Sequence, residues 1–223
     1  MGYRLYAHLR AHTADPISDA GRQWVFIGAA AGALLGSRLL GLLEHPDLLL
    51  HPPAGWLYYA TNKIIAGGFL GGLVGVELTK KRLGITASSG HLMVFPLLLG
   101  LGTGRVGCFL SGREGAYGTA TALPWGINFG DCIARHPTNL CEILFLGTRA
   151  LLLGALEHCQ PLPNGWRFEL FLSGYLLSRL LVEFVKPTAA LPGLVMAIQW
   201  ACVAGLGYYV WGWVKQLPDF KSS

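Results

Sequence analysis

The sequence predicts an all-α fold, a polytopic membrane helix bundle with about six transmembrane helices, on two observations. Hydrophobic residues make up 52% of the 223 residues and charged residues only 13%, whereas a soluble domain carries about 25% charged residues. Six apolar segments also approach the roughly 20 residues that a helix needs to cross a bilayer. The surface is therefore expected to face lipid, and the 31 glycines are expected to let helices pack closely.

The six segments follow one another from residue 24 to residue 214, so residues 1–223 are predicted to form a single membrane domain. The fourth segment is the weakest, because Glu142 and Arg149 interrupt it. Residues 1–23 form a polar N-terminal segment, and residues 215–223 form a short tail. The predicted spans are Trp24–Leu43, Leu57–Leu78, Leu92–Leu110, Leu140–Leu156, Phe168–Val185 and Leu191–Val214.

The distribution of Lys and Arg predicts the orientation of these spans, because cytoplasmic loops are enriched in both. The loop at Glu44–Trp56 has none, and Ser111–Thr138 has only Arg113 and Arg135. Both termini are therefore predicted to be cytoplasmic, with the long loop at 112–137 facing outward. The cations on the cytoplasmic side are Arg4, Arg10, Arg22, Lys80, Lys81, Arg82, Lys215 and Lys221.

The charge and the cysteine spacing of the chain argue against nucleic-acid and metal binding. The net charge is only +5, and many cations lie at the ends of apolar runs, which is typical of membrane anchoring rather than nucleic-acid binding. The five cysteines form no CxxC pair and no metal-ligand spacing, so they are interpreted as small hydrophobic residues. No metal or organic cofactor is expected.

Arg105 lies well inside the third span, among Gly102, Gly104 and Gly107. A guanidinium in hydrocarbon is costly, so it is expected to face a polar cavity or a partner. Arginine suits bidentate phosphate contact, and small neighbours leave room for a headgroup. The alternative is a buried ion pair without a ligand.

Two further spans carry ionisable residues. Arg179 and Glu183 are four residues apart in the fifth span, so they share one helical face, either as a self-neutralising pair or as part of a cavity. Arg38 in the first span repeats the pattern of a cation among glycines. Arg105 and Arg179 together are suited to hold one phosphate.

The fourth span begins at RHPTNLCE, where Pro137 suits a helix start and Thr138 or Asn139 is a candidate cap. Glu142 follows near the first turn, where it either fits the helix dipole or belongs to a site. His136 is either a general base at the mouth of a cavity or a surface residue. These residues together predict an outward-opening cavity for an anionic amphiphile.

Five ordered stretches resemble the bacterial prolipoprotein diacylglyceryl transferases over most of residues 25–215. GRVGCFLSG at 104–112 resembles the family signature GR-x-GNF-x-NGE. GALLGSRL at 32–39 resembles G-x-x-x-G-x-R, and GGFLGGLVGVELTKKR at 67–82 resembles the FHGGLIG segment with its basic loop. RHPTNLCE at 135–142 resembles RHPSQLYE, and GYLLSRLLVEFVKP at 174–187 resembles GY-x-x-FR-x-x-VEFFR.

The resemblance implies a transferase of the bacterial inner membrane that moves a diacylglyceryl group from phosphatidylglycerol to the lipobox cysteine of prolipoproteins. Membrane lipid and the lipobox peptide would be its partners, with the oligomeric state left open. Arg105 and Arg179 would hold the lipid phosphate, with Glu183 orienting Arg179 and Glu142 in the same cavity. The residues assigned to substrate binding beside these arginines are Arg38, Gly104, Gly107, Gly112 and Glu114.

The chain departs from the family pattern at two positions. Leu70 stands where the family has a histidine, and Cys108 stands for the signature asparagine. The chain also begins near what would be the loop after the family's first span. The general base is therefore open between His136 and Glu114. The alternatives are a divergent paralogue with another acceptor or lipid, a non-catalytic lipid-binding protein, and a small transporter, which would need inverted repeats.

Overall fold

The structure, a computed structural model, describes residues 2–13, 15–44, 64–111, 119–128, 130, 132–160, 162, 165–185 and 197–220. These ranges contain seven α-helices, and a 3-10 turn at His91–Met93 leads into the fourth. Two short strands, β1 (Ile127–Asn128) and β2 (Ala134–Arg135), lie between the fourth and fifth helices. The helices are α1 (Gly2–Ala11), α2 (Asp19–Glu44), α3 (Ile65–Leu83), α4 (Val94–Ser111), α5 (Thr138–Cys159), α6 (Trp166–Val185) and α7 (Ala197–Phe220).

The predicted fold class, an all-α polytopic membrane bundle, is confirmed. Each predicted span coincides with one of α2 to α7, although residues 57–63 of the second span and 191–196 of the sixth lie outside the described residues. Within the described part, three segments are long and apolar enough to cross a membrane: Asp19–Leu43, His91–Ser111 and Thr138–Cys159. Helices α3 and α6 carry more charged residues, and α7 is rich in Trp and Tyr.

The chain divides into two compact units, each with its own packing. The first unit contains residues 1–15 and 90–171, and the second contains residues 16–89 and 172–223. In the first unit α4 packs against α5, and α1 packs against α4. In the second unit the main contact is between α2 and α3, and both also contact α7.

Glycines bring α2 and α3 of the second unit into direct backbone contact. A Cβ added at Gly32 or Gly36 of α2 would collide with a backbone carbonyl oxygen of α3, and a Cβ at Gly67 or Gly71 would collide with one of α2. Membrane helices use small residues in this way, because close approach gives them van der Waals contact that lipid cannot supply. The glycine-rich segments of the sequence therefore build one helix pair.

The faces of α5 explain how a helix with two ionisable residues crosses the membrane. Asn139, Leu146 and Leu153 are its buried residues, and their heptad spacing places them on one face. Glu142 and Arg149 fall three residues after Asn139 and Leu146, so they lie on the side of that face. Their charges are therefore directed into the unit rather than towards lipid.

Polar contacts surround Glu157 at the end of α5 opposite to Glu142. Arg167, at the start of α6, forms an ion pair with Glu157 and donates a hydrogen bond to the carbonyl oxygen of His91 at 3.2 Å. Its guanidinium also lies 5.5 Å from the centre of the Phe95 ring. Glu142 and Glu157 are separated by about 22 Å at 1.5 Å per helical residue. The two glutamates thus lie near opposite ends of α5, on either side of an apolar middle that is interrupted by Arg149.

Arg22 fixes the loop after α3 in the second unit. Its side chain is only 1% exposed, and its Nη1 donates a hydrogen bond of 2.9 Å to the carbonyl oxygen of Ser89. We expect Arg22→Met to destabilise the protein by about 1–3 kcal/mol, because a buried carbonyl would lose its charged donor. The measurement is the thermal unfolding midpoint in detergent.

Arg82→Met is the matched control for this variant, because Arg82 is an exposed arginine on the neighbouring helix α3. It should leave the midpoint unchanged. Equal midpoints for the two variants would contradict a structural role for the Arg22–Ser89 hydrogen bond.

Candidate functional site

The first unit brings together two of the residues predicted to form the site. Arg105 Nε of α4 and Glu142 Oε2 of α5 form an ion pair, and their side chains are 25% and 24% exposed. Glu142 lies four residues into α5, about 6 Å along the helix axis from its start. The pair is therefore inside the membrane-spanning segment but near the end of α5 that adjoins the long loop.

The ion pair leaves part of the guanidinium available to a ligand. Glu142 engages Nε, and among the described residues Arg105 has no other hydrogen bond or ion pair. The two terminal nitrogens can therefore donate to an oxyanion, and the planar guanidinium suits a phosphate. Glu142 offsets the cost of placing the cation at membrane depth and fixes its direction.

The glycines around Arg105 leave space beside it. A Cβ at Gly104 or Gly107 would meet no described atom within 4 Å. Neither glycine therefore mediates a close helix contact with the described residues, and their predicted role in substrate binding stays a prediction. Gly112 and Glu114, the other predicted site residues of this region, lie outside the described residues.

His136 is held at the start of α5 by the loop. Its backbone N–H donates to the carbonyl oxygen of Thr119 at 3.0 Å, and its ring centre lies 6.3 Å from that of Trp125. The helix then begins with Pro137 as its N-cap, without a side-chain cap hydrogen bond. The predicted capping by Thr138 or Asn139 is therefore wrong, because both residues already lie within the first turn.

The remaining predicted residues belong to the second unit. Arg38 lies on α2 and Arg179 on α6, both half-buried and both with interaction partners. Glu183 lies four residues beyond Arg179 in the backbone of α6, and its side chain lies outside the described part. The predicted ion pair between Arg179 and Glu183 stays a prediction.

Tyr175 is a further candidate site residue, which the sequence analysis did not single out. It lies one turn before Arg179, on the same face of α6, and its ring meets that of Phe69 edge to face at 4.9 Å. The signal was present in the stretch GYLLSR, where tyrosine and arginine are four residues apart.

The two departures from the family pattern differ in their surroundings. Leu70 packs in an apolar setting, since its Cδ2 lies 2.8 Å from where a Cβ of Gly205 would be, and Leu176 approaches the same point. The position of the family histidine is thus filled by helix packing. Cys108 is exposed on α4, one turn beyond Arg105.

Arg149 is a second intramembrane arginine of the first unit. Its Nη2 donates to the carbonyl oxygen of Leu170 at 2.5 Å, and its guanidinium lies 5.4 Å from the centre of the Phe145 ring. These contacts connect α5 to the first turns of α6, so we assign it a structural role. Within the described ranges, no group of three His, Cys, Asp or Glu side chains is placed to hold a metal ion.

The model of the family described as prolipoprotein diacylglyceryl transferase matches residues 3–215. The chain belongs to this family. Its relatives include proteins named phosphatidylglycerol–prolipoprotein diacylglyceryl transferase. The one from Methylobacillus flagellatus is 38% identical over 77% of this chain and 66% of its own length. The one from Geobacter sulfurreducens is 33% identical over 83% and 70%, and the one from Legionella pneumophila (strain Corby) is 30% identical over 97% and 86%.

The prediction that the chain belongs to the prolipoprotein diacylglyceryl transferase family is confirmed by these matches. The matched segment spans just under two thirds of the Methylobacillus protein and somewhat more of the other two. No solved structure matches the chain.

Proposed function

We propose that this chain transfers a diacylglyceryl group from phosphatidylglycerol to the lipobox cysteine of prolipoproteins, in the bacterial inner membrane. The observation that carries the proposal is the Arg105–Glu142 ion pair between two membrane-spanning helices of a chain in this family. It supplies a positioned cation with open donors at the depth that a lipid headgroup can reach.

The reaction joins the cysteine sulfur to carbon 3 of the lipid's glyceryl group. The cysteine loses its proton to a base, the thiolate attacks this carbon, and the carbon–oxygen bond to the phosphate breaks. Diacylglyceryl-cysteine forms, and glycerol 1-phosphate leaves with the bonding electrons. Arg105 donates to the phosphate oxygens, so it stabilises the negative charge that grows on the leaving group.

Other parts of the proposal come from the sequence motifs. Arg38, Arg179 and Glu183 are proposed to act in the same reaction, with His136 or Glu114 as the base. His136 is supported by its position directly before α5, where its backbone N–H is hydrogen-bonded to Thr119 and its ring lies beside Trp125. Both termini are proposed to be cytoplasmic, with the loop at 112–137 outside, where a secreted prolipoprotein presents its lipobox.

The test uses the full chain in detergent with phosphatidylglycerol labelled in its acyl chains and a lipobox peptide. We expect the label to move to the peptide, and its mass to rise by one diacylglyceryl group. A peptide with serine in place of the lipobox cysteine should stay unlabelled. If the cysteine peptide also stays unlabelled while phosphatidylglycerol binds, the proposed transfer is contradicted.

That second result would support a non-catalytic lipid-binding protein, which the packing of Leu70 favours. The position of the family histidine carries an apolar side chain, and Leu70 packs there beside Gly205 and Leu176. Native mass spectrometry distinguishes the candidates. Both a binder and a transferase should retain phosphatidylglycerol in the intact protein and lose it with Arg105→Ala. Only the transferase should also give a labelled peptide.

A further inference from the structure

The segment that joins α4 to α5 presents an exposed apolar turn. Leu123 is 44% exposed and Trp125 is 56% exposed, and a 3.0 Å hydrogen bond from Gly126 N to the carbonyl oxygen of Leu123 closes the turn around Pro124. We call residues 123–126 the Trp125 turn. Neighbouring Trp and Leu side chains that are exposed together form an apolar patch, and such a patch can mark a surface that contacts a membrane or a protein.

The strand pairing fixes the level of this turn relative to α5. Arg135 of β2 pairs with Ile127 on one side and with Ala120 on the other, so β2 is the middle strand and leads into α5. The Trp125 ring lies beside His136, which directly precedes Pro137 and the helix. Trp125 is therefore level with the first turn of α5.

The first turn of α5 marks one boundary of the membrane. Helix α5 is one of the segments long and apolar enough to span it, and Leu144, two residues after Glu142, is 71% exposed as expected of a lipid-facing residue. The lipid-facing surface of the helix therefore continues towards the level of Trp125. Tryptophan is enriched at this depth, because its ring is apolar while its N–H can reach water or headgroups.

We infer that the Trp125 turn lies in the lipid headgroup region at the membrane boundary where α5 begins, and anchors the paired strands β1 and β2 to the bilayer surface. The anchor holds His136 at the level of the headgroups, just beyond the start of α5, which lies about 6 Å from Glu142 along the helix axis. The partner is the lipid surface itself, so the inference holds whether or not the chain catalyses transfer.

The experiment places the full chain, labelled with 5-fluorotryptophan, in lipid nanodiscs and records fluorine NMR spectra. The chain has seven tryptophans, and the Trp125 signal is assigned by its loss in Trp125→Phe and independently in Trp125→Tyr. Three paramagnetic probes are then compared: a lipid labelled at the headgroup, a lipid labelled at the end of its acyl chain, and a gadolinium chelate in water.

We expect the headgroup-labelled lipid to broaden the Trp125 signal several-fold more than the chain-end label does. Strong broadening by the aqueous chelate, with little effect of either lipid, would overturn the inference because the turn would be in water. Protection from all three probes, with a shift when a lipobox peptide is added, would also overturn it and indicate a surface that docks the prolipoprotein.

Discussion

Replacement of Arg105 by alanine should reduce diacylglyceryl transfer by about 10²- to 10³-fold, the usual loss when one preorganised donor to a developing oxyanion is removed. The leaving phosphate would develop its charge in a low-dielectric site without the guanidinium that Glu142 directs. The measurement is the rate of label transfer from phosphatidylglycerol to a lipobox peptide, expressed per folded protein.

Two conservative variants separate charge from geometry. Arg105→Lys keeps the cation but loses the planar fork, so its rate should lie between those of the alanine variant and the unaltered protein. Glu142→Gln keeps the shape but releases the guanidinium from its ion pair, so its rate should fall less than that of Arg105→Ala. A rate for Arg105→Ala equal to that of the unaltered protein would remove the basis of the proposed function.

Arg149→Met is the matched control, because Arg149 is also an intramembrane arginine of the first unit. It donates to a backbone carbonyl of α6 rather than facing open space. We expect this variant to lose stability but to keep its transfer rate per folded molecule. If both arginine variants lowered the rate equally, the effect would reflect general damage to the unit.

The helices could be predicted from hydropathy because each span must satisfy its backbone and face lipid over most of its length. Even the weakest prediction, the fourth span, corresponds to α5, one of the segments that qualify by length and composition. Glu142 and Arg149 lower its hydropathy, but the helix still qualifies by length and composition, and both residues lie on the side of its buried face.

The partner of Arg105 could not be predicted in the same way. Sequence reasoning left a ligand and an ion pair as alternatives, and the choice depends on the register in which α4 packs against α5. The structure shows an ion pair with Glu142 that still leaves guanidinium donors available. Arg105 can therefore form the ion pair and bind a ligand at the same time, which the spacing of residues in the sequence could not show.

The loop before α5 contains Pro and Gly residues, which are typical of irregular structure. The described part of this loop is nevertheless ordered by hydrogen bonds. Ile127–Asn128 and Ala134–Arg135 pair as antiparallel strands, and Asn128 Oδ1 accepts hydrogen bonds from the backbone N–H groups of Gly130 and Cys132. Strands of two residues are too short for an alternating hydrophobic pattern, so no pattern in the sequence predicts them.

Gly71→Ala should destabilise the second unit more than any other single methyl addition that we propose. A Cβ there would collide with the carbonyl oxygen of Gly32 and lie 2.8 Å from the Cα of Gly36. Both obstacles are backbone of α2, so relief requires the two helices to separate. Overpacking of this kind costs about 1–3 kcal/mol, which thermal unfolding in detergent would report as a lower midpoint.

Gly72→Ala supplies the control, because it adds the same methyl group to the next residue of the same helix. Its Cβ would make ordinary contacts of 3.5 Å with the carbonyl oxygen of Ala29 and 3.6 Å with the Cβ of Ala33. Alanine is the better helix former by about 1 kcal/mol, so this variant should unfold at an equal or higher temperature. Equal destabilisation by both variants would contradict the backbone contact between α2 and α3, since only Gly71 lies within it.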